Sequence, residues 1–230
     1  MESDTLKVSI IVPTFNEALI IEESLTAIAC LNPHEIIVVD GGSTDITISI
    51  ARRIATHVVT SEAGRARQMN AGAKKATGDL LLFMHVDSSL PPESFEKMTE
   101  EMRHREPTGG AFGLHIESEK ISLKLISTFA IWRSKYLNLV YGDQTIFVRA
   151  EIFQKLEGFS PLPICEDLEF FRRLSQQGKV ILLKEKAHTS GRRWITEGIL
   201  LTTLRNIIIT TLFLLGFPPR ILGRWYLVVR

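Results

Sequence analysis

The chain has 230 residues, which suits one domain with a small appendage and permits a sizeable core. Apolar residues make up 45% and charged residues 23% of it, which excludes a disordered or collagen-like chain. The net charge of +1 argues against nucleic acid as the main partner, and two cysteines, Cys30 and Cys165, argue against a disulfide scaffold or a cysteine zinc site. Few cysteines and an N-terminus without the basic and apolar regions of a secretory signal predict a reducing, cytoplasmic location.

The first ninety residues alternate between short apolar strands and helices. Strands are predicted at Val8–Val12, Glu35–Asp40, Val58–Val59 and Leu80–Met84, and a long helix at Gly64–Ala76. This alternation predicts an α/β fold whose sheet is parallel and joined by right-handed crossovers.

The middle of the chain continues with mixed elements. A charged helix is predicted from Pro91 to Arg105, and a further helix spans Ile121 to Leu139. In the latter, apolar residues recur at helical spacing, which predicts a stripe facing the core. The stripe consists of Leu125, Phe129, Trp132 and Tyr136. The other predicted elements are an extended segment at Gly109–Ile116, strands at Thr145–Val148 and Val180–Leu183, and helices at Ala150–Leu156 and Glu166–Gln177.

The C-terminal segment has a different character. Residues 199–217 contain apolar clusters interrupted by Arg205 and Asn206. A membrane-spanning helix needs about twenty apolar residues, and an Arg at its centre costs about 2.5 to 3.5 kcal/mol. We therefore predict a helix that packs on protein, in the core or a homodimer interface, or that lies peripherally at the inner face of a membrane.

Polar clusters follow the predicted strands, where open α/β sheets place their ligands. Two of them are Pro13–Glu17 and Asp40–Asp45. A third contains His85 and Asp87, which stand two residues apart and so project from the same face of a strand. A histidine and a carboxylate leaving a buried strand together suit a metal or phosphate site.

A fourth cluster, residues 64–72, carries Arg65 and Arg67 near a helix start. Two arginines there suit a diphosphate, by charge and by forked hydrogen bonding. Each cluster alone has a structural explanation as a cap, a glycine turn or a solvated face. Four of them at one edge of one sheet favour a ligand site.

In this order, the motifs at residues 8–17, 36–45, 70–72 and 78–87 resemble those of the family 2 glycosyltransferases. The resemblance continues through Gly158–Phe159 and Glu166–Asp167 and covers about residues 7–185. Within the family, residues 64–72 and Gly191–Trp194 resemble a small bacterial subgroup associated with radical-SAM and selenodomain proteins. Some members of that subgroup are linked to arsenosugar synthesis.

The resemblance implies a GT-A fold, with a mostly parallel central sheet flanked by helices and a C-terminal helical segment. Residues 1–190 would form the catalytic domain, divided at about residue 90 into a nucleotide-binding half and an acceptor half, and residues 191–230 the helical extension. The implied reaction is an inverting transfer of a sugar from a nucleoside diphosphate sugar, by default a UDP-sugar, to a small-molecule or lipid-linked acceptor.

The resemblance also implies roles for individual residues in donor binding. Pro13, Thr14 and Glu17 would line the nucleoside pocket, Asp40 would hold the base edge, and Gly42 lies in the same turn. Arg65, Arg67 and Asn70 would reach the ribose or the diphosphate, with His85 beside them.

The family's Asp-x-Asp position is occupied here by His85-Val86-Asp87, so histidine replaces the first aspartate. Asp87 is implied to bind a divalent cation, Mn²⁺ or Mg²⁺, which bridges the diphosphate. It stays open whether His85 is a ligand or only shapes its surroundings. His188 is a further candidate metal ligand.

The resemblance implies that Asp167 is the base that takes the proton from the acceptor hydroxyl, with Glu166 orienting it or the acceptor. Two alternatives remain beside this enzyme. The apolar C-terminal segment suits a sugar transferase acting on a polyprenyl phosphate at the membrane surface. The missing first aspartate suits a nucleotide-binding protein without catalysis.

Overall fold

The computed structural model describes residues 6–226. Residues 1–5 of the predicted N-terminal segment and residues 227–230 of the predicted C-terminal extension lie outside the described residues. Within the described range, eight strands alternate with ten α-helices. The strands are β1 (Val8–Thr14), β2 (Glu35–Asp40), β3 (His57–Thr60), β4 (Leu80–Phe83), β5 (Ser88–Ser89), β6 (Gly109–Glu117), β7 (Ile146–Arg149) and β8 (Val180–Ser190).

The helices lie mostly between the strands along the chain. They are α1 (Ile21–Ala29), α2 (Thr47–Ala51), α3 (Arg65–Lys75), α4 (Pro92–His104), α5 (Ile121–Leu137), α6 (Ala150–Lys155), α7 (Glu166–Gln177), α8 (Arg192–Glu197), α9 (Ile199–Leu214) and α10 (Pro219–Trp225). A single 3₁₀ turn, Gly142–Gln144, precedes β7.

The strands form one sheet in the order β3-β2-β1-β4-β7-β6-β8-β5. The first four strands pair in parallel, as predicted from their alternation with helices. Strand β7 is antiparallel to both β4 and β6, and β8 runs parallel to β6. The α/β prediction is confirmed, and the sheet runs without interruption through both predicted halves.

The core lies on both faces of the sheet. Side chains alternate along β1, so Ile10 and Val12 pack with α1 residues on one face, while Ile11 packs with Met69 of α3 on the other. Burial on both faces explains why the strands read as continuous apolar runs. Gly72 permits close contact, since a methyl group there would stand 2.5 Å from Ile11 Cγ2. Helix α3 is thereby fixed against the sheet.

The prediction of a core-facing stripe on α5 is wrong. The stripe faces solvent, with exposed fractions of 65% for Leu125, 51% for Phe129, 49% for Trp132 and 62% for Tyr136. Helix α5 instead buries the opposite side, on which Arg133 and Ser134 donate hydrogen bonds to Gln144 Oε1. The face of α5 that carries these hydrogen bonds lies inside the protein, and the large apolar side chains lie on the outward face.

The C-terminal segment forms α8, α9 and α10. Helix α9 packs through Ile209 against Ile164 and Leu222, so part of it is in a small core as predicted. Much of its apolar surface remains exposed, including Leu200 at 82% and Leu201 at 61%. No helix within residues 6–226 has both the length and the apolar character needed to cross a membrane.

Candidate active site

The turn after β2 is organised by Asp40, which is fully buried. Its Oδ2 accepts hydrogen bonds from the N–H groups of Gly42 and Ser43, both at 2.8 Å, and its Oδ1 accepts one from the Ser43 hydroxyl. Gly42 has a φ of +94°, a conformation that favours glycine. Asp40 therefore fixes its own turn, and its predicted contact with a nucleobase edge remains a prediction.

The end of β1 lies beside this turn, since Thr14 pairs with Asp40. Pro13 and Thr14 are buried in the strand, and Thr14 Oγ1 is a buried hydroxyl without a hydrogen-bond partner among the described residues. Glu17 is half-buried in the following loop, and its N–H donates to Thr47 Oγ1. An unpartnered hydroxyl at a strand end is a group that a ligand could satisfy.

Three residues of α3 that were predicted to reach the ribose or diphosphate have different surroundings. Arg67 forms an ion pair with Glu62 at 2.7 Å. Both ends of the Asn70 amide bond the backbone of Phe159, each at 2.8 Å, so Asn70 fastens α3 to the loop before α7. Arg65, at the first position of α3, differs from these two residues. Its charge interacts with the carboxylates of Glu166, Asp167 and Asp87.

Arg65 contributes a positive charge to the site. Desolvation lowers its pKa, but Tyr226 and the carboxylates of Glu166, Asp167 and Asp87 have the larger opposite effect, so the pKa is raised and the guanidinium is charged. Arg133 and Arg193 act on the same group of residues, so the site combines arginines with several carboxylates.

Gly142 lies between His85 and Asp167 at the centre of the site. Its N–H donates a hydrogen bond to Asp167 Oδ2, while Asp167 Oδ1 accepts one from the N–H of Leu168 at 2.7 Å. A methyl group on Gly142 would stand 2.8 Å from His85 Cε1 and 3.2 Å from Asp167 Oδ2. The end of β4, the 3₁₀ turn and the start of α7 therefore meet here. They line a small cavity together with Met69, Phe83, Ile146, Phe159 and Glu166.

His85 is neutral at physiological pH. Burial and the charge of Arg65 lower its pKa to about 4, although Asp87 and Asp167 act in the opposite direction. A neutral imidazole has one nitrogen free to accept a hydrogen bond or to bind a metal.

Two other carboxyl groups hold protons more tightly than usual. Burial, together with the charge of Asp167, raises the pKa of Glu166 to about 7, against the opposing effect of Arg65. Burial raises the pKa of Asp143 to about 6, with Arg133 opposing and Asp167 and Asp87 adding to the increase. The Oδ1 atom of Asp143 is buried and has no hydrogen-bond partner in residues 6–226. The site thus concentrates negative charge that a cation would stabilise.

Asp87 is exposed in the turn between β4 and β5, and its backbone oxygen accepts a hydrogen bond from Ser190 N–H. In the described part of the chain, no three or more His, Cys, Asp or Glu side chains are arranged to hold a metal ion. Divalent cations at phosphate-transfer sites often use one or two carboxylates plus phosphate oxygens and water. Asp87 beside the crowded carboxyl groups fits a cation whose other ligands come from a diphosphate.

His188 lies on β8, and its role as a metal ligand remains a prediction. The prediction that it follows the last strand is wrong, because β8 extends to Ser190 by pairing with β6 on one side and β5 on the other. Its ring lies 4.7 Å from the ring of His115, and its Nδ1 lies 3.6 Å from Glu117 Oε1.

Two residues of the site, Arg133 and Tyr226, were not predicted from the sequence, while Asp143 and Arg193 lie in the runs Tyr141–Gln144 and Gly191–Trp194 that the sequence marks without giving either residue a role. The guanidinium of Arg133 lies 3.3 Å from the centre of the Tyr141 ring, and its charge acts on Asp143. Arg193 lies over the Tyr226 ring at 4.2 Å, and its charge contributes to lowering the pKa of His85. The run Tyr141–Gln144 is a visible signal because its polar residues precede a strand, and Gly191–Trp194 is visible as a motif, but residues 195–226 carry no signal that marks Tyr226.

Comparisons with known proteins agree with this architecture. The model of Glycosyl transferase family 2 matches residues 9–156. An uncharacterised glycosyltransferase of Haemophilus influenzae is 29% identical over 181 residues, which cover 71% of this chain and 70% of the relative. The dolichol-phosphate mannosyltransferase of Pyrococcus furiosus is 34% identical over 109 residues, or 43% of this chain and 31% of the relative.

Among solved structures, a mannosyltransferase from Pyrobaculum calidifontis in complex with GDP-Man and Mn²⁺ has a TM-score of 0.65 and 25% identity. The match covers 81% of this chain and 57% of that protein. The chain thus spans little more than half of that enzyme and less than a third of the Pyrococcus furiosus relative. The GT-A fold expected from the sequence is confirmed.

Proposed function

Because the chain belongs to glycosyl transferase family 2, we propose that it is an inverting enzyme that transfers a sugar from a nucleoside diphosphate sugar to an acceptor hydroxyl. The observation that carries the proposal is the meeting of Asp167, His85 and Gly142 at the carboxyl edge of the sheet. Asp87 and Arg65 act electrostatically on the same group of residues. An acceptor and an anionic donor can be bound side by side there.

Asp167 is proposed as the general base. Its carboxylate would take the proton from the acceptor hydroxyl as that oxygen attacks the anomeric carbon and the nucleoside diphosphate leaves from the opposite side. A base of this kind contributes about 10²- to 10⁴-fold in rate. Glu166, with a pKa of about 7, is partly protonated near neutrality and can donate a hydrogen bond that orients the acceptor.

Asp87 is the residue we propose to hold Mn²⁺ or Mg²⁺, with the remaining ligands supplied by the diphosphate. When bound, the cation would neutralise charge that develops on the leaving diphosphate. The Mn²⁺ in the Pyrobaculum calidifontis mannosyltransferase supports this part of the proposal. A neutral His85 suits either a ligand or a neighbour of the cation, and His188 remains a further candidate ligand.

The donor is proposed to lie along the ends of β1 and β2, with Thr14, Glu17 and the Asp40 turn around the nucleoside. Support comes from the unpartnered hydroxyl of Thr14 and from the charged guanidinium of Arg65, which suits a diphosphate. UDP is the default nucleotide, and GDP is the alternative because the mannosyltransferase relative binds GDP-Man.

The test is a thermal-shift screen of UDP- and GDP-sugars with and without Mn²⁺, paired with an assay of sugar transfer and donor hydrolysis. A bound ligand raises stability by RT ln(1 + [L]/Kd). We expect one donor class to stabilise the protein and turn over, and Asp167→Asn to retain binding while losing turnover. Binding without turnover in the native protein would favour the non-catalytic alternative, and unchanged turnover in Asp167→Asn would remove Asp167 as the base.

A second candidate is a transferase that uses a polyprenyl phosphate acceptor at a membrane surface. It is favoured by the exposed apolar faces of α5 and α9 and by the match to a dolichol-phosphate mannosyltransferase. A polar acceptor would suit the proposed bacterial subgroup linked to arsenosugars instead. Transfer assays with a short-chain polyprenyl phosphate and with free sugar acceptors distinguish the two.

A further inference from the structure

Helix α5 presents one apolar face to solvent along its whole length. Ile121, Leu125, Phe129, Trp132 and Tyr136 recur at intervals of three or four residues, and each is between 49% and 75% exposed. The rings of Phe129 and Trp132 stack at 5.8 Å, so the aromatic part of the face is already ordered. Single exposed apolar residues are ordinary, but a continuous face usually marks an interaction site.

Helix α9 presents a second apolar face. Leu200, Leu204, Ile207, Ile208 and Leu215 follow the same helical spacing and are between 42% and 82% exposed. The chain continues with Phe217, Ile221 and Trp225, which are exposed by about half.

Contacts inside the protein connect α5 with α9. Ile199, at the start of α9, packs against the cluster that contains Leu123 and Ala130 of α5. Beyond the end of α5, the Tyr141 hydroxyl lies 2.5 Å from Thr210 Oγ1 of α9. We call the two exposed apolar faces, together with Phe217, Ile221 and Trp225, the α5–α9 surface.

Cations predominate on these segments. Residues 120–142 and 198–226 contain no Asp or Glu. Lys120, Lys124 and Lys135 are exposed on or beside α5, and Arg220 and Arg224 are exposed on α10. Lys124 lies 3.7 Å from the exposed carboxylate of Glu119, which precedes the helix. Aromatic and aliphatic side chains next to exposed cations are the composition of helices that lie in the interface of an anionic membrane.

We propose that the α5–α9 surface docks this protein onto an anionic lipid bilayer, with the apolar side chains entering the interfacial region and the cations meeting lipid phosphates. Trp132, Tyr136 and Trp225 have the amphipathic rings that favour the level of the headgroups. The docked bilayer would lie next to the active site, since Tyr141 contacts α9 and precedes Gly142, which bonds Asp167.

A second copy of this chain fits the surface less well. A two-fold interface places the same patch against itself, so the exposed cations of both segments, which outnumber the nearby acidic residue Glu119, would face one another. Lysine is also depleted from interface cores between proteins. An anionic bilayer satisfies both the apolar and the cationic parts of the surface.

The test is flotation of the full chain with vesicles of phosphatidylcholine and with vesicles that also contain phosphatidylglycerol. We expect binding to the anionic vesicles, weakened by added salt because screening shortens the reach of the charges. Lys124→Gln with Lys135→Gln should weaken binding about 25-fold, at roughly fivefold per cation. Trp132→Ser with Leu204→Ser should weaken it about tenfold or more through lost apolar burial.

Two matched variants control for nonspecific effects. Lys74→Gln with Lys75→Gln removes two exposed cations from α3, and Leu19→Ser removes a leucine that is 98% exposed, both away from the surface. These should bind vesicles like the native chain.

No binding to anionic vesicles, or equal binding by all variants, would overturn the proposal. So would a concentration-dependent dimer in light scattering that the Trp132 and Leu204 changes abolish without any vesicle binding. Because flotation measures no transfer, its result is independent of the proposed reaction.

Discussion

Asp167 accepts a hydrogen bond from the backbone N–H of Gly142, and this contact joins the start of α7 to the 3₁₀ turn that follows α5. The same glycine lies against the ring of His85. The backbone N–H of Gly142 thus bonds the proposed base, Asp167, and the neutral imidazole of His85 packs against the same glycine. The catalytic arrangement depends on there being no side chain at residue 142.

The first prediction concerns Gly142→Ala. The added methyl group would stand 2.8 to 2.9 Å from His85 and 3.2 Å from Asp167, so one or both side chains must shift. A displacement of about 1 Å at reacting groups can lower a rate by about 100-fold, while overpacking costs about 1 to 3 kcal/mol. We expect kcat to fall about tenfold or more, with the fold retained in urea denaturation.

Gly223→Ala provides the comparison for that change. Its methyl group would meet Pro163 at 3.3 Å, a mild contact on α10. Turnover by this variant should match the native enzyme. If Gly142→Ala also keeps native turnover, the packing of Gly142 against His85 and Asp167 has no role in catalysis.

The second prediction concerns Asp87→Ala. We expect nucleotide affinity in the presence of Mn²⁺ to fall about tenfold or more, because the proposed cation would lose its protein carboxylate. Affinity in the presence of EDTA should change little. Isothermal titration with and without Mn²⁺ measures both values, and Glu93→Ala on α4 is the exposed acidic control. An unaltered response to Mn²⁺ in Asp87→Ala would remove this residue from the metal site.

The strands and the site edge could be predicted from the sequence because each leaves a local signal. A strand buried on both faces is a run of apolar residues, and polar residues directly after it lie at the ligand-binding edge. His85, Asp87 and Asp167 were identified in this way, together with the resemblance. Their mutual neighbour, Gly142, lies in the run Tyr141–Gln144, which the sequence leaves open as part of an acceptor pocket or as a structural turn.

The errors share a physical cause. Helical spacing tells which residues lie on one face of α5, but the direction of that face is decided by the hydrogen bonds of Arg133 and Ser134 to Gln144. The partner of Asn70 is likewise set by tertiary packing, because Phe159 lies far along the chain. The raised pKa of Asp143 depends on burial and on four charges, of which Asp167, Asp87 and Arg65 come from distant parts of the chain and Arg133 from α5.

The third prediction concerns the pH dependence of stability. Glu166 has a folded-state pKa of about 7 against an ordinary value of 4.5, so between these values the folded protein binds more protons than the unfolded chain. Its contribution to stability is therefore fully present below about pH 4.5 and is lost as the pH rises through about 7. Glu166→Gln cannot ionise, so its stability relative to the native protein should increase over this window, on the order of 1 to 3 kcal/mol.

Urea denaturation at several pH values between about 5 and 8 measures this difference. His85 has a pKa lowered from 6.5 to about 4, so it contributes stability that is present above about 6.5 and lost as the pH falls through about 4. This opposite trend is common to both proteins and cancels in their difference. A difference that stays constant across the window would show that Glu166 ionises normally in the folded state.

The fourth prediction separates a structural from a nucleotide-binding role for Asn70. Asn70→Ala removes two hydrogen bonds and leaves the N–H and C=O groups of Phe159 without their partner, which should cost about 1 to 3 kcal/mol of unfolding free energy. Nucleotide affinity should remain native, because both ends of the amide are already engaged with the loop. Arg67→Ala is the matched change on the same helix; it breaks an exposed ion pair with Glu62 and should cost less than about 1 kcal/mol. Urea denaturation measures the unfolding free energy of both variants, and isothermal titration measures their nucleotide affinity. If Asn70→Ala has native-like stability but binds nucleotide more weakly, Asn70 is part of the donor site.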